Sequence, residues 1–95
     1  MKNIRMPISS DKNQILSFCE KTFSWGDYIH EVWDSWEKDD GLVIIEEDNT
    51  AVAMCHGVKF QNESMLWIEG IRVKENYRKN GFATSLIKHF EKIAN

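Results

Sequence analysis

Arg78-x-x-Gly81-x-Ala83 places a cation, a glycine and a small residue at one junction of the chain, between an apolar β-type run and an amphipathic helical stretch. The run Met65-Leu66-Trp67-Ile68-Glu69-Gly70-Ile71-Arg72-Val73 enters the junction and the helical pattern begins directly after it. A strand feeding a basic, glycine-containing turn at a helix start is suited to holding an anion. The first amides of a helix have no intrahelical partner and lie at the positive end of its dipole. Gly81 lets the backbone approach a phosphate with no side chain in the way. Arg78 and Lys79 are either ordinary surface charge or anion partners, and the dipole favours the second, because cations are unfavourable at a helix N-terminus without an anion nearby. The turn therefore predicts a phosphorylated ligand.

The elements that must hold this turn follow from periodicity. Lys2 to Ile8 alternates as a short strand, with Ile4, Met6 and Ile8 on one side. Ser10 or Asp11 is placed to cap a helix whose apolar face carries Ile15, Leu16, Phe18, Cys19 and Phe23. After Gly26 a second helix is predicted from about Tyr28 to Glu37, with Ile29, Val32, Trp33 and Trp36 at helical spacing. Leu42 to Glu46 reads as an inner strand, Asp48-Asn49 as a turn, and Thr50 to Phe60 as a longer strand. Gln61-Asn62-Glu63 turns the chain into a fourth strand, Ser64 to Val73. The last helix is predicted from about Asn80 to Ala94, with Phe82, Ala83, Leu86, Ile87, Phe90 and Ile93 on one stripe. The order is β-α-α-β-β-β-α, an α+β arrangement with a mostly antiparallel sheet, in one domain over residues 1–95.

Composition narrows the function classes. Ninety-five residues suit one compact domain, and 42% hydrophobic with 12% aromatic residues suffices for a real core. A net charge of −3 argues against general nucleic-acid binding, since the Lys and Arg residues gather locally from Arg72 to Lys79. No apolar run reaches membrane-spanning length and no signal-peptide pattern follows Met1, so a cytoplasmic protein without membrane partners is expected. Cys19 and Cys55 match no metal or redox spacing and read as buried apolar groups in a reducing compartment. His30, His56 and His89 form no ligand spacing, and each reads as surface or lightly buried, with His56 on a strand that can face a groove.

With strand, gap, signature and helix in this order, the chain resembles the GNAT (Gcn5-related) N-acetyltransferase superfamily. The signature fits that family's Gln/Arg-x-x-Gly-x-Gly/Ala pattern, and Ile71-Arg72-Val73 lies the usual short gap before Tyr77-Arg78. The resemblance implies the family's three-layer fold and acetyl-CoA as co-substrate, with no metal. It implies that the backbone of Ile71, Arg72 and Val73 pairs with the pantetheine arm, one of their amides polarising the thioester carbonyl. It implies that the amides of Lys79, Asn80, Gly81, Phe82, Ala83 and Thr84 wrap the pyrophosphate, with Arg78 shaping the turn. The family's domain usually continues after this helix with a strand, a helix and two strands. The chain to Asn95 thus corresponds to the N-terminal portion, expected either as a fragment or as a protein that completes its site with another chain.

The chemistry so implied is attack on a thioester by the neutral primary amine of a small-molecule or peptide acceptor, which needs a base for the amine's proton. Glu69, on the fourth strand, matches the place where some members carry a carboxylate base; the plainer reading is a solvated edge glutamate. Arg72 either touches a ligand phosphate or covers the sheet with its stem. Gly70 within a strand predicts a bulge or a close backbone approach, and Trp67 is expected in the core. Trp25, Tyr28, Trp33 and Trp36 either pack the helix pair onto the sheet, the favoured reading, or line an acceptor pocket. Asp27, Glu31 and Asp34 read as a solvated acidic face in preference to a site for a cationic amine. No Cys or Ser stands in a triad-like context, so direct attack in a ternary complex is expected over an acetyl-enzyme. The other class of function is a non-catalytic CoA-binding or interaction module. The outer edge of the fourth strand, left open, predicts a homodimer or swapped assembly.

Overall fold

Leu42-Val43-Ile44-Ile45 is apolar at successive positions, and only a strand covered on both faces buries such a run. In the computed structural model, which describes residues 2–59 and 66–94, this run forms β2 (Leu42–Glu47) within an antiparallel sheet. The sheet is ordered β1-β2-β3-β4, with β1 at Asn3–Arg5, β3 at Thr50–Lys59 and β4 at Leu66–Val73. Helices α1 (Asp11–Cys19) and α2 (Ile29–Lys38) cover one face, and α3 (Phe82–Ala94) covers the other. Alternation along β2 divides the core: Leu42 and Ile44 meet Ile15, Ile29, Trp33 and Trp36, while Val43 and Ile45 meet Phe82, Leu86 and Phe90. The result is the α+β architecture with the element order read from the sequence. Among the described residues no helix is long and apolar enough to cross a membrane.

Local chemistry explains most boundaries. Asp48 and Asn49 both take positive φ, 53° and 61°, as the two central residues of a primed hairpin turn that matches strand twist. The register of β2 against β3 shifts at Ile45/Glu46, so that Val52 and Ala53 both face α3. β1 is shorter than the predicted Lys2–Ile8: Pro7 has no amide to donate, and Met6 and Ile8 are exposed. α1 stops at Cys19, short of Phe23, which is exposed and stacks on Trp25 with ring centroids 5.1 Å apart. Ser10 makes no side-chain cap. The buried Asp11 instead accepts from the Ile8 amide at 2.7 Å and pairs with Arg5, also at 2.7 Å. α3 starts at Phe82, not Asn80, since Gly81 at φ +78° lies outside helical space. The expected ends of β3 and β4 at Phe60 and Ser64, and the turn through Gln61-Asn62-Glu63, lie outside the described residues.

Two aromatic expectations are corrected. Trp67 is 55% exposed rather than in the core. It stands opposite Val58, one step along the α1/α2 face beyond the His56–Glu69 pair, where the cover supplied by Trp36 runs out. Trp33 and Trp36 pack onto the sheet as favoured, but Trp25 is 69% exposed.

Candidate functional site

The site is organised by a break in β4. Glu69 stands opposite His56 and Arg72 opposite Met54, so Gly70 and Ile71 together face the single residue Cys55. This is the bulge that Gly70 predicted. Gly70 has φ +66°, and a Cβ there would come within 2.7 Å of the Trp36 ring, so both backbone conformation and close approach call for glycine. The bulge sends Ile71 and Val73 toward α3 and leaves Glu69 and Arg72 on the α1/α2 face.

On that face Glu69 and Arg72 each have a partner. Arg72 donates from Nε and Nη2 to the Asp27 carboxylate at 2.7 and 3.1 Å, and its guanidinium lies over the rings of Tyr28 and Phe23. Asp27 is therefore buried and paired, not part of a solvated acidic face. Burial alone would push its carboxyl up, but Arg72, with Thr22 and the Tyr28 amide, outweighs burial and holds it below the ordinary carboxylate range. Asp27, Trp25 and His30 border a depression of about 400 Å³ beside the end of α1. Glu69 is part-exposed, and its Oε2 lies 3.1 Å from His56 Nδ1. His56 is buried, which corrects the surface reading; it was placed inside by its alternation with Met54 on β3, a signal the sequence contains. Cys19 and Cys55 are buried, and burial pushes both thiols up to about 12, so neither offers a thiolate near neutral pH.

At the other end of β4 the phosphate-type turn is held from below. Arg78 Nε donates to the Val73 carbonyl at 2.9 Å, tying the turn to the strand end, and Asn80 Nδ2 donates to the carbonyls of Tyr77 and Arg78. Lys79 and Gly81 take φ +67° and +78° on either side of Asn80. Among the described residues, no protein acceptor receives the amides of Lys79 to Thr84; the first backbone bond of α3 runs from Ser85 N to Gly81 O at 2.9 Å. Lys79, Gly81, Phe82, Ala83 and Thr84 line an open depression of about 320 Å³ together with Val73, Tyr77 and Arg78. A Cβ at Gly81 would meet no protein atom within 4 Å, so the space before it is free for a ligand. The glycine is required by its φ. Gly81→Val is accordingly expected to cost about 1–3 kcal/mol through backbone strain alone, measured by urea unfolding at neutral pH.

The predicted site residues thus fall on one strand and the turn that follows it, with Glu69 beside the bulge, Ile71, Arg72 and Val73 between, and residues 78–84 at the end. Sequence reasoning missed Asp39, which stands just after α2 with its carboxylate 2.8 Å from His56 Nε2. No spacing pattern links it to His56.

The family model described as acetyltransferase (GNAT) family matches residues 12–95. Among curated proteins none matches the sequence. Solved structures share the fold. Ard1 from Thermoplasma volcanium aligns with a TM-score of 0.79 at 14% identity, covering 98% of this chain and 63% of its own. A GNAT-family acetyltransferase from Bacillus cereus gives 0.77 at 21% identity, covering 94% and 61%. N-acetylglutamate synthase from Neisseria gonorrhoeae, in complex with coenzyme A and N-acetyl-glutamate, gives 0.76 at 16% identity, covering 99% and 22%. This chain therefore spans less than two thirds of each of these three.

Proposed function

The chain belongs to the acetyltransferase (GNAT) family, and on that premise we propose that it transfers an acetyl group from acetyl-CoA to a primary amine by direct attack in a ternary complex. One observation carries the reading: the strand that presents a half-exposed carboxylate beside a bulge also ends in a turn of unpaired amides. The amides of Lys79 to Thr84 would receive the diphosphate, and the bulged backbone of Ile71, Arg72 and Val73 would align the pantetheine arm. The thioester would then lie near Glu69. The amine nitrogen attacks the thioester carbon, forming the C–N bond as the C–S bond breaks. An amide of the bulged segment receives the developing oxyanion, Glu69 takes the amine's proton, and CoA leaves as a thiolate that takes a proton from water. Direct attack is favoured because neither buried cysteine can supply a thiolate. An acyl-CoA-dependent reaction and two unpaired buried thiols suit the cytoplasm. Because β4 ends the sheet order, we also propose that a second copy pairs along its open edge ahead of the bulge, leaving Ile71, Arg72 and Val73 to the pantetheine; a monodisperse monomer in light scattering would refute that pairing.

Thermal unfolding with acetyl-CoA, CoA and pantetheine tests the first step. At a hundredfold excess over Kd, acetyl-CoA and CoA are each expected to add about 2.7 kcal/mol, a rise in Tm of roughly 10–20 °C for a domain of this size. Pantetheine, lacking the diphosphate, is expected to shift Tm little, and Gly81→Val to reduce the response to CoA. Thiol release from acetyl-CoA with a panel of primary amines tests the second step. Binding without turnover would make the chain a CoA-binding module. Absence of any shift would overturn both.

A further inference from the structure

His56 carries a carboxylate on each ring nitrogen, and the reaction described above uses neither the ring nor Asp39. Nδ1 lies 3.1 Å from Glu69 Oε2, and Nε2 lies 2.8 Å from Asp39 Oδ2. We propose that Glu69, His56 and Asp39 form a proton relay that carries the acceptor amine's proton from the groove to bulk water beyond the end of α2. The proposal rests on the reading of Glu69 as the group that meets the amine.

The three residues form a wire with wet ends and a dry centre. The Glu69 side chain is 34% exposed and that of Asp39 45%, whereas His56 between them is 2% exposed. Each position is fixed by the fold. Glu69 and His56 are direct cross-strand partners on β4 and β3. The His56 ring is stacked on Trp36, centroids 4.2 Å apart and planes 3° from parallel, which sets the direction of both nitrogens. Asp39 is held by the Gly41 amide, which donates to Oδ1 at 2.8 Å. An aspartate at a helix C-terminus opposes the helix dipole, and a buried imidazole contributes no more to packing than an apolar group of its size. Fold stability alone gives little reason for this combination.

Proton counting gives the arrangement its function. A neutral imidazole has one N–H and one lone pair, and between two carboxylates the lone pair would face another. Both hydrogen bonds form only when two protons are held across the network. With the ring's single proton on Nε2, Glu69 takes a proton from the amine, Nε2 passes its own to Asp39 Oδ2, Asp39 releases it to water, and the Glu69 proton moves to Nδ1. The network holds as many protons as before, now with the ring's on Nδ1, and the amine has lost one; when the products leave, that proton returns through Glu69 to the open groove and Nε2 is refilled from water through Asp39. Glu69 by itself would have to return its proton to a groove filled by both substrates. The titratable side chains that bond the ring are Glu69 from β4 and Asp39 from the end of α2.

The test is steady-state thiol release from acetyl-CoA with two probe amines, by wild type, His56→Gln, Asp39→Asn and Asp39→Glu. Butylamine is charged at neutral pH, as a lysine side chain is; methoxyamine is not, and its attack depends far less on a base. Asp39→Asn keeps an oxygen for the Gly41 amide and changes a part-exposed side chain, so it preserves the fold if His56→Gln does not. Both variants are expected to lower kcat for butylamine about 10- to 100-fold at pH 7 and to move the rise of kcat to higher pH. The KM for acetyl-CoA should stay within about twofold, methoxyamine should be largely spared, and Asp39→Glu should recover part of the rate. Wild-type kcat and pH profile in both variants would overturn the relay while leaving acetyl transfer intact. Equal losses with the two amines would also overturn it, assigning His56 and Asp39 a structural role. A wild-type chain silent with both amines would overturn the acetyl-transfer reading itself, and the relay with it.

Discussion

Glu69→Gln is expected to lower kcat by about 100- to 10,000-fold at neutral pH, the range by which a positioned base accelerates proton transfer. The substitution is chosen to leave the structure alone. Glutamine has the same shape, and its amide can either accept from or donate to His56 Nδ1, so the cross-strand contact at 3.1 Å persists. The side chain loses only its capacity to take a proton. Acetyl-CoA affinity should be unchanged, because the turn of residues 79–84 that is proposed to hold the diphosphate is separated from Glu69 by the length of the strand end. The loss should shrink as pH rises, since solvent deprotonates the amine in place of the carboxylate. A pH series of kcat and KM, with Tm shifts induced by CoA as a control on binding, measures all three effects. If kcat is unchanged with CoA binding intact, Glu69 is the solvated edge glutamate that is its plainer reading.

What the sequence made legible was local. The anion turn shows in Arg78 to Thr84 because a glycine, a cation and the start of a helical stripe are adjacent in the chain. The Asp48-Asn49 hairpin and the Gly70 bulge show for the same reason: a positive φ demands particular residues at the position itself. The missed side-chain placements are decided between elements. Asp27 reads as one of several acidic residues until the α1–α2 loop lays it against Arg72 on β4. Trp67 looks like core until strand register carries it past the cover of α2. Asp39 becomes a partner of His56 only because α2 ends above β3. His56 is an intermediate case. Its alternation with Met54 already points inward, but a histidine on an inward face tells nothing about which groups will meet its nitrogens.

The second large effect concerns stability and lies in the Arg72–Asp27 pair. Arg72→Ala is expected to destabilise the fold by about 3–5 kcal/mol, since it leaves the Asp27 carboxylate buried without its cation. That is a large share of the roughly 5–15 kcal/mol that a domain possesses in total. The guanidinium also lies over the Tyr28 and Phe23 rings at 5.4 and 5.8 Å, so the change loosens the whole α1–α2 loop against β4. The reverse follows from the same reasoning. The double substitution Arg72→Met with Asp27→Leu removes both charges from a buried place and should recover most of the loss, because the desolvation cost disappears with the attraction. The acid limb supplies an independent reading. Asp27 is held below its ordinary value near 3.8 in the folded protein, so the unfolded chain binds its proton first as pH falls. The stabilisation is thus fully present above that value and is lost as pH drops through it toward the lower folded value. Urea unfolding at pH 7, 5 and 3 should show the wild type losing stability chiefly between the last two. In Asp27→Asn that part of the decline should be missing, whatever stability the variant has at pH 7. An acid limb of wild-type steepness in Asp27→Asn would place the titration on other carboxylates.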